Sequence, residues 1–343
     1  SLQTKFDLKM QYFFPELNYF QGGAEHFHTI YGGNIVFNSF RISERNKGSK
    51  VIPTSDIKKE FLKKFISKPN SKLGLNFDTT LVMGVLNVTP DSFYDGEQSF
   101  SEKQFVEKGL NLLKAGCCIL DVGGESTRPG AKEVASSIEI ERVIGVIKKI
   151  KQSAPSAIIS VDTRKAIVAE KALQAGASIV NDISAGSFDE KMFGVVAKYK
   201  AGMCLMHSQG LPENMQNKPH YENVLLDIYD YLKEKIAEAE STGISRKRII
   251  IDPGIGFGKS FSHNMEIIKK ASLFLGLGCP LMIGVSRKSF IGEIISERLP
   301  SARLSGSIAA MLKIVSNGVN IVRVHDVKAV SYTHLRAHET EYD

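Results

Sequence analysis

From residue 80 onward, short apolar runs rich in Val and Ile alternate with longer segments of helical period. The runs are Leu81 to Leu86, Cys118 to Val122, Ile158 to Val161, Ser178 to Asn181, Met203 to Met206, Ile249 to Asp252, Leu281 to Val285 and Asn320 to Val324. Continuous apolar runs this short suit strands buried on both faces, as in a parallel sheet. Between them, Ile140, Val143, Ile144, Ile147 and Ile150 line one helical face, and Val224, Leu225, Ile228, Leu232 and Ile236 line another. Eight strands interleaved with helices predict an α/β fold, a (β/α)8 TIM barrel, whose functional rim lies at the carboxyl ends of its strands.

The flanking segments read differently. Residues 1–46 mix aromatics with Gly22-Gly23 and Gly32-Gly33 and hold a strand-like run from Ile35 to Phe40, which predicts a small N-terminal α+β extension of unknown role. Residues 47–79, with Pro53, Pro69 and Lys58, Lys59, Lys63, Lys64, Lys68 and Lys72, read as a solvated connector containing one short helix. The barrel is expected over 80–329. Residues Ser331-Tyr-Thr-His-Leu-Arg-Ala-His-Glu-Thr340 lack an apolar stripe and look like translated adapter, so 330–343 is read as a non-native tail and the last barrel helix as missing or replaced. Neither His334 with His338 nor His26 with His28 has the companions a metal site needs.

Composition narrows the class. With 43% hydrophobic and 24% charged residues the chain is globular, and no apolar run reaches the roughly 18 residues that span a bilayer. The N-terminus lacks the basic-then-apolar order of a secretory signal, so a cytoplasmic protein with no membrane partner is expected. The net charge of +7 is uneven, residues 1–80 holding 12 Lys and Arg against 7 Asp and Glu. That surplus falls in the connector, so an anionic small molecule is a better partner for the barrel than nucleic acid. Cys117, Cys118, Cys204 and Cys279 sit in or beside strands without a CxxC pair and are expected as buried free thiols.

The strand ends carry the chemistry. In order they read Asn87 with Thr89-Pro90-Asp91-Ser92-Phe93, then Asp121-Val-Gly-Gly-Glu-Ser-Thr-Arg-Pro-Gly130, then Asp162-Thr163-Arg164 and Asn181-Asp182. Met206-His207, Asp252-Pro253-Gly254, Ser286-Arg287-Lys288-Ser289 and Arg323-Val324-His325-Asp326 complete the set. A barrel brings all eight onto one rim around one pocket. Asp162, Asn181 and Asp252 are short acceptors that suit a heterocycle with several N–H donors. Arg128, Lys288, Arg323 and His325 are cationic or potentially so and suit a phosphate or diphosphate. Asp182 and Asp326 are read as structural partners. Gly254-Ile-Gly-Phe-Gly-Lys-Ser260 fails the spacing of a nucleotide P-loop and of a dinucleotide fingerprint, leaving Phe257 available to cover a flat ligand. His207 is read as packed or rim-lining, not as part of a triad.

These residues resemble the dihydropteroate synthase family. The resemblance rests on Met83-Gly-Val-Leu-Asn-Val-Thr-Pro-Asp-Ser-Phe93, Asp121 to Ala131, Asn181-Asp-Ile183, Met206-His207, Asp252 to Lys259, Ser286-Arg-Lys-Ser289 and Arg323-Val-His-Asp326, in the family's order, over about residues 80 to 327. It implies condensation of 6-hydroxymethyl-7,8-dihydropterin pyrophosphate with p-aminobenzoate to give dihydropteroate and pyrophosphate. By the same resemblance, Asp162, Asn181, Asp252 and Lys288 hold the pterin, with Asp121, Met206 and Phe257 in the same pocket. Arg323 stacks on the pterin and reaches the pyrophosphate, which His325 and Arg128 also bind. Asn87 binds Mg2+, and Thr127, Ser286, Pro90 and Phe93 shape the p-aminobenzoate pocket. A homodimer is expected from the family. No nucleophile or base pair stands at the rim, which fits a dissociative displacement with Arg128, Lys288, Arg323 and His325 as the working groups. The alternatives are a corrinoid-dependent methyltetrahydrofolate methyltransferase, which has no use for a pyrophosphate-and-metal cluster, and a non-catalytic pterin-binding paralogue.

Overall fold

The computed structural model describes residues 11–19, 27–30, 35–45, 47–89, 101–128, 130–210, 215–216 and 219–331. Pro90 and Phe93 lie outside these residues, as does the tail beyond Ser331.

Eight parallel strands form one sheet: β1 (Leu81–Asn87), β2 (Ile119–Gly123), β3 (Ile158–Asp162), β4 (Ile179–Asp182), β5 (Gly202–Met206), β6 (Ile249–Asp252), β7 (Met282–Ile283) and β8 (Ile321–Val324). Neighbours follow in the order β6, β5, β4, β3, β2, β1, β8, β7, and a parallel bridge between Ile251 and Leu281 closes the ring. Helices α1 (Glu102–Lys114), α2 (Ser136–Ser153), α3 (Ala166–Gln174), α4 (Met192–Lys198), α5 (Val224–Ser241), α6 (Phe261–Lys269) and α7 (Leu304–Val315) follow their strands in turn. After β8 a helix starts at Val327 and is described as far as Ser331. A groove of about 970 Å3 opens beside it, between α1 and Leu304, and touches the rim through His325 and Asp326.

Strand period explains what faces inward. Met83, Ile119, Ile179, Cys204, Ile250, Met282 and Ile321 form one apolar cluster inside the barrel, while Val82, Leu86, Leu120, Val122, Ile159, Val161, Val180, Met203, Leu205, Ile249, Ile251, Val322 and Val324 pack outward against the helices. Side chains alternate along a strand, so two residues beyond each inward position the chain again faces the lumen. Those positions include Asp121, Asn181, Met206, Asp252 and Arg323. A helical stripe is rotated from its sequence reading, however. On α2 the buried residues are Glu139, Val143, Val146, Ile147 and Ile150, with Ile140 and Ile144 only half-buried.

Residues 47–79 carry more structure than a solvated connector. Lys50–Pro53 pairs antiparallel with Ser39–Glu44, which also pairs with Gln11–Pro15. The helix Lys59–Ile66 buries Leu62 and Phe65. Leu73, Leu75 and Phe77 join the inner apolar cluster beside Leu81 and so plug the amino end of the barrel. The run Ile35 to Phe40 is divided at Asn38: Ile35–Phe37 pairs with Asn18–Tyr19 and His28–Thr29, whereas Ser39 begins a strand of the other sheet. The extension docks firmly. Phe37, Phe40 and Phe65 are fully buried in the main core, Arg45 donates to Asp227 at 2.7 Å and to Asp230 at 2.9 Å on α5, and the Tyr12 hydroxyl donates to Asp230 at 2.6 Å. Of the four free thiols, Cys117, Cys204 and Cys279 are buried and Cys118 is exposed, contrary to its sequence reading. Cys118 precedes the first β2 residue and leaves the buried phase of that strand.

Candidate active site

Arg323 connects the two sides of the rim. From β8 its guanidinium crosses the lumen, donating from Nε to Asp121 Oδ2 at 2.7 Å and from Nη2 to Asp162 Oδ2 at 2.7 Å. Asn181 Nδ2 donates to the same Asp121 oxygen at 3.0 Å. Burial alone would lower the basicity of Arg323, but the carboxylates of Asp121 and Asp162 more than offset it and hold the guanidinium charged. Burial pushes the Asp162 carboxyl above the usual range, with Arg323 opposing and Asp121 reinforcing. The second Asp162 oxygen has no hydrogen bond among the described residues.

Asp252, Lys288 and Phe257 form the adjoining wall. Asp252 Oδ1 accepts from the Gly254 N–H at 2.7 Å, which leaves Oδ2 without a hydrogen-bond partner among the described residues. Lys288 donates to the carbonyl of Ile255, and its ammonium lies 5.0 Å from the centre of the half-buried Phe257 ring. Burial lowers the Lys288 pKa to about 8, opposed by Asp252 and aided by Arg323. Beneath both walls lies Cys204, whose buried thiol is pushed well up by burial and then by Asp252 and Asp121. Cys204 stands in register with Asn181 on one side and with Ile250, two residues before Asp252, on the other. Met206 is buried at the end of β5, in register with Asp252.

The loop of residues 253–260 is shaped by its glycines, not by a nucleotide. Gly254 and Gly258 have φ of 70° and 62°, and a Cβ on either would stand 1.9 Å from the His207 carbonyl oxygen or 2.3 Å from that of Gln209. Lys259, which a P-loop would aim at phosphate, is buried with Nζ 3.0 Å from His207 Nδ1. His207 is accordingly packed, edge-on to Tyr231 at 4.9 Å between ring centres.

The remaining positions stand around the opening. His325 Nδ1 lies 3.1 Å from Ser286 Oγ, and the His325 backbone N–H donates to the same oxygen at 3.3 Å. Burial, then the nearby charges of Arg323 and Arg287, lowers the His325 pKa to about 3, so the imidazole is neutral at pH 7. Thr127 is half-buried, and Arg128 is exposed and paired with no carboxylate among the described residues. Its charge still reaches His325. Asn87 ends β1 half-buried, in register with Gly123, which is in turn in register with Asp162. Asp182 accepts from the Ser184 N–H at 2.7 Å and the Gly186 N–H at 2.8 Å, and Asp326 accepts from Arg287 Nε at 2.9 Å, so both hold structure.

Sequence reasoning placed Glu125 and Arg164 at strand ends but missed the buried group they form with Lys165 and Glu139. A signal was there. Glu139 occupies the apolar stripe of α2, four residues before Val143, where a carboxylate needs a buried cation.

This arrangement can grip a flat, nitrogen-rich ring between acceptors and draw an anion toward Arg323, His325 and Arg128. The comparisons agree with that chemistry. A family model described as Pterin binding enzyme matches residues 83–325. Dihydropteroate synthases from Synechocystis sp. and Escherichia coli are 40% and 44% identical over 252 and 247 residues, covering 74% and 72% of this chain and 87% and 86% of theirs. A dihydropteroate synthase from Xanthomonas albilineans, solved with 4-aminobenzoic acid, superposes with a TM-score of 0.75 at 37% identity, over 81% of this chain and all of that one. The chain therefore belongs to the pterin binding enzyme family and, within it, to the dihydropteroate synthases.

Proposed function

We propose that the rim residues divide the work of condensing 6-hydroxymethyl-7,8-dihydropterin pyrophosphate with p-aminobenzoate into recognition and leaving-group stabilisation. Asp162 and Asp252 turn their unpaired oxygens, and Asn181 its amide, toward the pterin N–H groups, with Lys288 donating to a ring acceptor and Phe257 and Met206 covering the faces. Arg323 touches both pterin and pyrophosphate, and Arg128 and the neutral His325 complete the diphosphate contacts. The bond from the pterin methylene carbon to oxygen breaks, the electron pair leaves with pyrophosphate, and the electron-rich pterin carries the charge left on carbon. The arylamine nitrogen then bonds to that carbon and sheds one proton to solvent or pyrophosphate. Positioning and electrostatics suffice, because the amine needs no strong base. Thr127 and Ser286 form the p-aminobenzoate side.

The observation that carries this reading is the Arg323 bridge between Asp121 and Asp162, since it sets a fixed cation between the acceptor wall and the anionic end. Mg2+ fits the donor set only as a partner of substrate. Among the described residues no three His, Cys, Asp or Glu side chains gather as ligands, so Asn87 would hold the ion with waters and diphosphate oxygens, and the ion would neutralise the leaving group. The enzyme acts in the cytoplasm as a homodimer. Mixing both substrates with Mg2+ should release pyrophosphate and dihydropteroate in equal amounts. Methyl transfer to a corrinoid, or pterin binding without pyrophosphate release, would sustain one of the alternatives.

Lys288 gives a pH test. Its ammonium is lost as pH rises through about 8, so kcat/KM for the pterin substrate should fall above that pH. A Lys288→Arg variant keeps its charge and should lack that limb whatever its absolute rate. His325 should add no inflection near pH 6.5, because it is already neutral there.

A further inference from the structure

The loop that carries Thr127 and Arg128 is held from behind by two adjacent cations. Lys165, three residues past Asp162, is 4% exposed, and its ammonium donates to Glu125 Oε2 at 2.5 Å, to the Val134 carbonyl at 2.5 Å and to Glu139 Oε2 at 2.8 Å. All three of its N–H groups are thereby used. Arg164 donates to Glu125 Oε1 at 3.1 Å and reaches Glu133 Oε2 at 3.5 Å, with its guanidinium 4.0 Å from the centre of the Phe188 ring. Glu125 opens the loop, and Glu133 and Val134 close it. Each cation thus ties one end to the other.

The charges explain why ions are used here. Apolar side chains would fill such a space at least as stably, so a buried ion cluster is not explained by stability alone. Glu125 and Glu133 are the carboxylates that flank Arg128 in sequence, and both are occupied by Lys165 or Arg164. Arg128, between them, has no carboxylate among the described residues. We propose that Lys165, assisted by Arg164, is a positioning residue that withdraws Glu125 and Glu133 from Arg128 and pins the loop ends, so that Arg128 remains available to the diphosphate. This rests on the assignment of Arg128 to the pyrophosphate end of the site.

The test compares Lys165→Met with the double variant Lys165→Met/Glu125→Gln. Calorimetry would measure binding of Mg-pyrophosphate and, separately, of 6-hydroxymethylpterin, which lacks the diphosphate. In the single variant Glu125, still held through Oε1 by Arg164, should turn its released Oε2 to Arg128 and weaken pyrophosphate about tenfold, as expected for one charge-assisted contact. Pterin affinity should change less than about twofold, because its acceptors are untouched. Removing the Glu125 charge should restore most of the pyrophosphate affinity. A structural role alone would weaken both ligands together and leave the double variant no better than the single one, and either result would overturn the proposal. If the single variant melts below the assay temperature, Arg164→Gln, which keeps Lys165 in place, should give a smaller loss in the same direction, and no loss there would count against the idea. Arg128→Gln separates the two layers. Were it to bind pyrophosphate normally, the assignment of Arg128 would fail; were it alone to lose affinity, only the role of Lys165 would.

Discussion

Replacing Arg323 with alanine should lower kcat/KM by about a thousandfold, the scale seen when one fixed donor to a developing anion is removed. The loss should appear in kcat, because the cation matters most once charge moves onto the departing oxygen. Stability should fall as well. Asp121 is fully buried, its Oδ1 already lacks a partner among the described residues, and losing the guanidinium would strip the counter-charge from both Asp121 and Asp162. Breaking a buried pair from one side costs about 3–5 kcal/mol. The substitution Arg323→Lys keeps the charge, but an ammonium cannot hold two carboxylates in the same fork. It should recover much of the melting temperature and little of the rate. Unchanged pyrophosphate release in a folded Arg323→Ala enzyme would end the leaving-group role.

The second large effect concerns Asp252. Asp252→Asn can keep the contact to the Gly254 N–H through its amide oxygen while turning an NH2 group toward the pterin, where donors would face donors. Losing charge-assisted bonds and leaving ring N–H groups unsatisfied should weaken pterin binding on the order of a thousandfold. Because Gly254 stays held, the melt should shift little. Binding of 6-hydroxymethylpterin measures this directly, and an affinity within about threefold of the parent would remove Asp252 from the recognition wall.

Not all of the site was equally legible. Asp121, Asn181, Asp252 and Arg323 could be found because each lies two residues past an inward apolar side chain, so the strand period itself aims it at the lumen. Lys165 could not be found that way. It sits beyond the strand end, and its partners Glu125 and Glu139 lie 40 and 26 residues earlier, so only the fold brings them together. The plug of Leu73, Leu75 and Phe77 was hidden for a similar reason, since three apolar residues among lysines carry no period that says what they will cover. The stripe on α2 was misplaced by one step because Ile140 and Ile144 look as apolar as their neighbours, and which edge of a helix faces the sheet depends on the packing beneath it.

From the order of residues alone came eight strands, the rim they must share and the chemical character of its groups, because strand period and loop composition are local properties of a chain. Tertiary structure decided the pairings: which carboxylates Arg323 spans across 202 and 161 residues, which carboxylate oxygens lack a hydrogen bond among the described residues, and which cations hold Glu125. Partnership between distant charges depends on distance and burial in the folded barrel, and neither quantity is written in the spacing of residues along the chain.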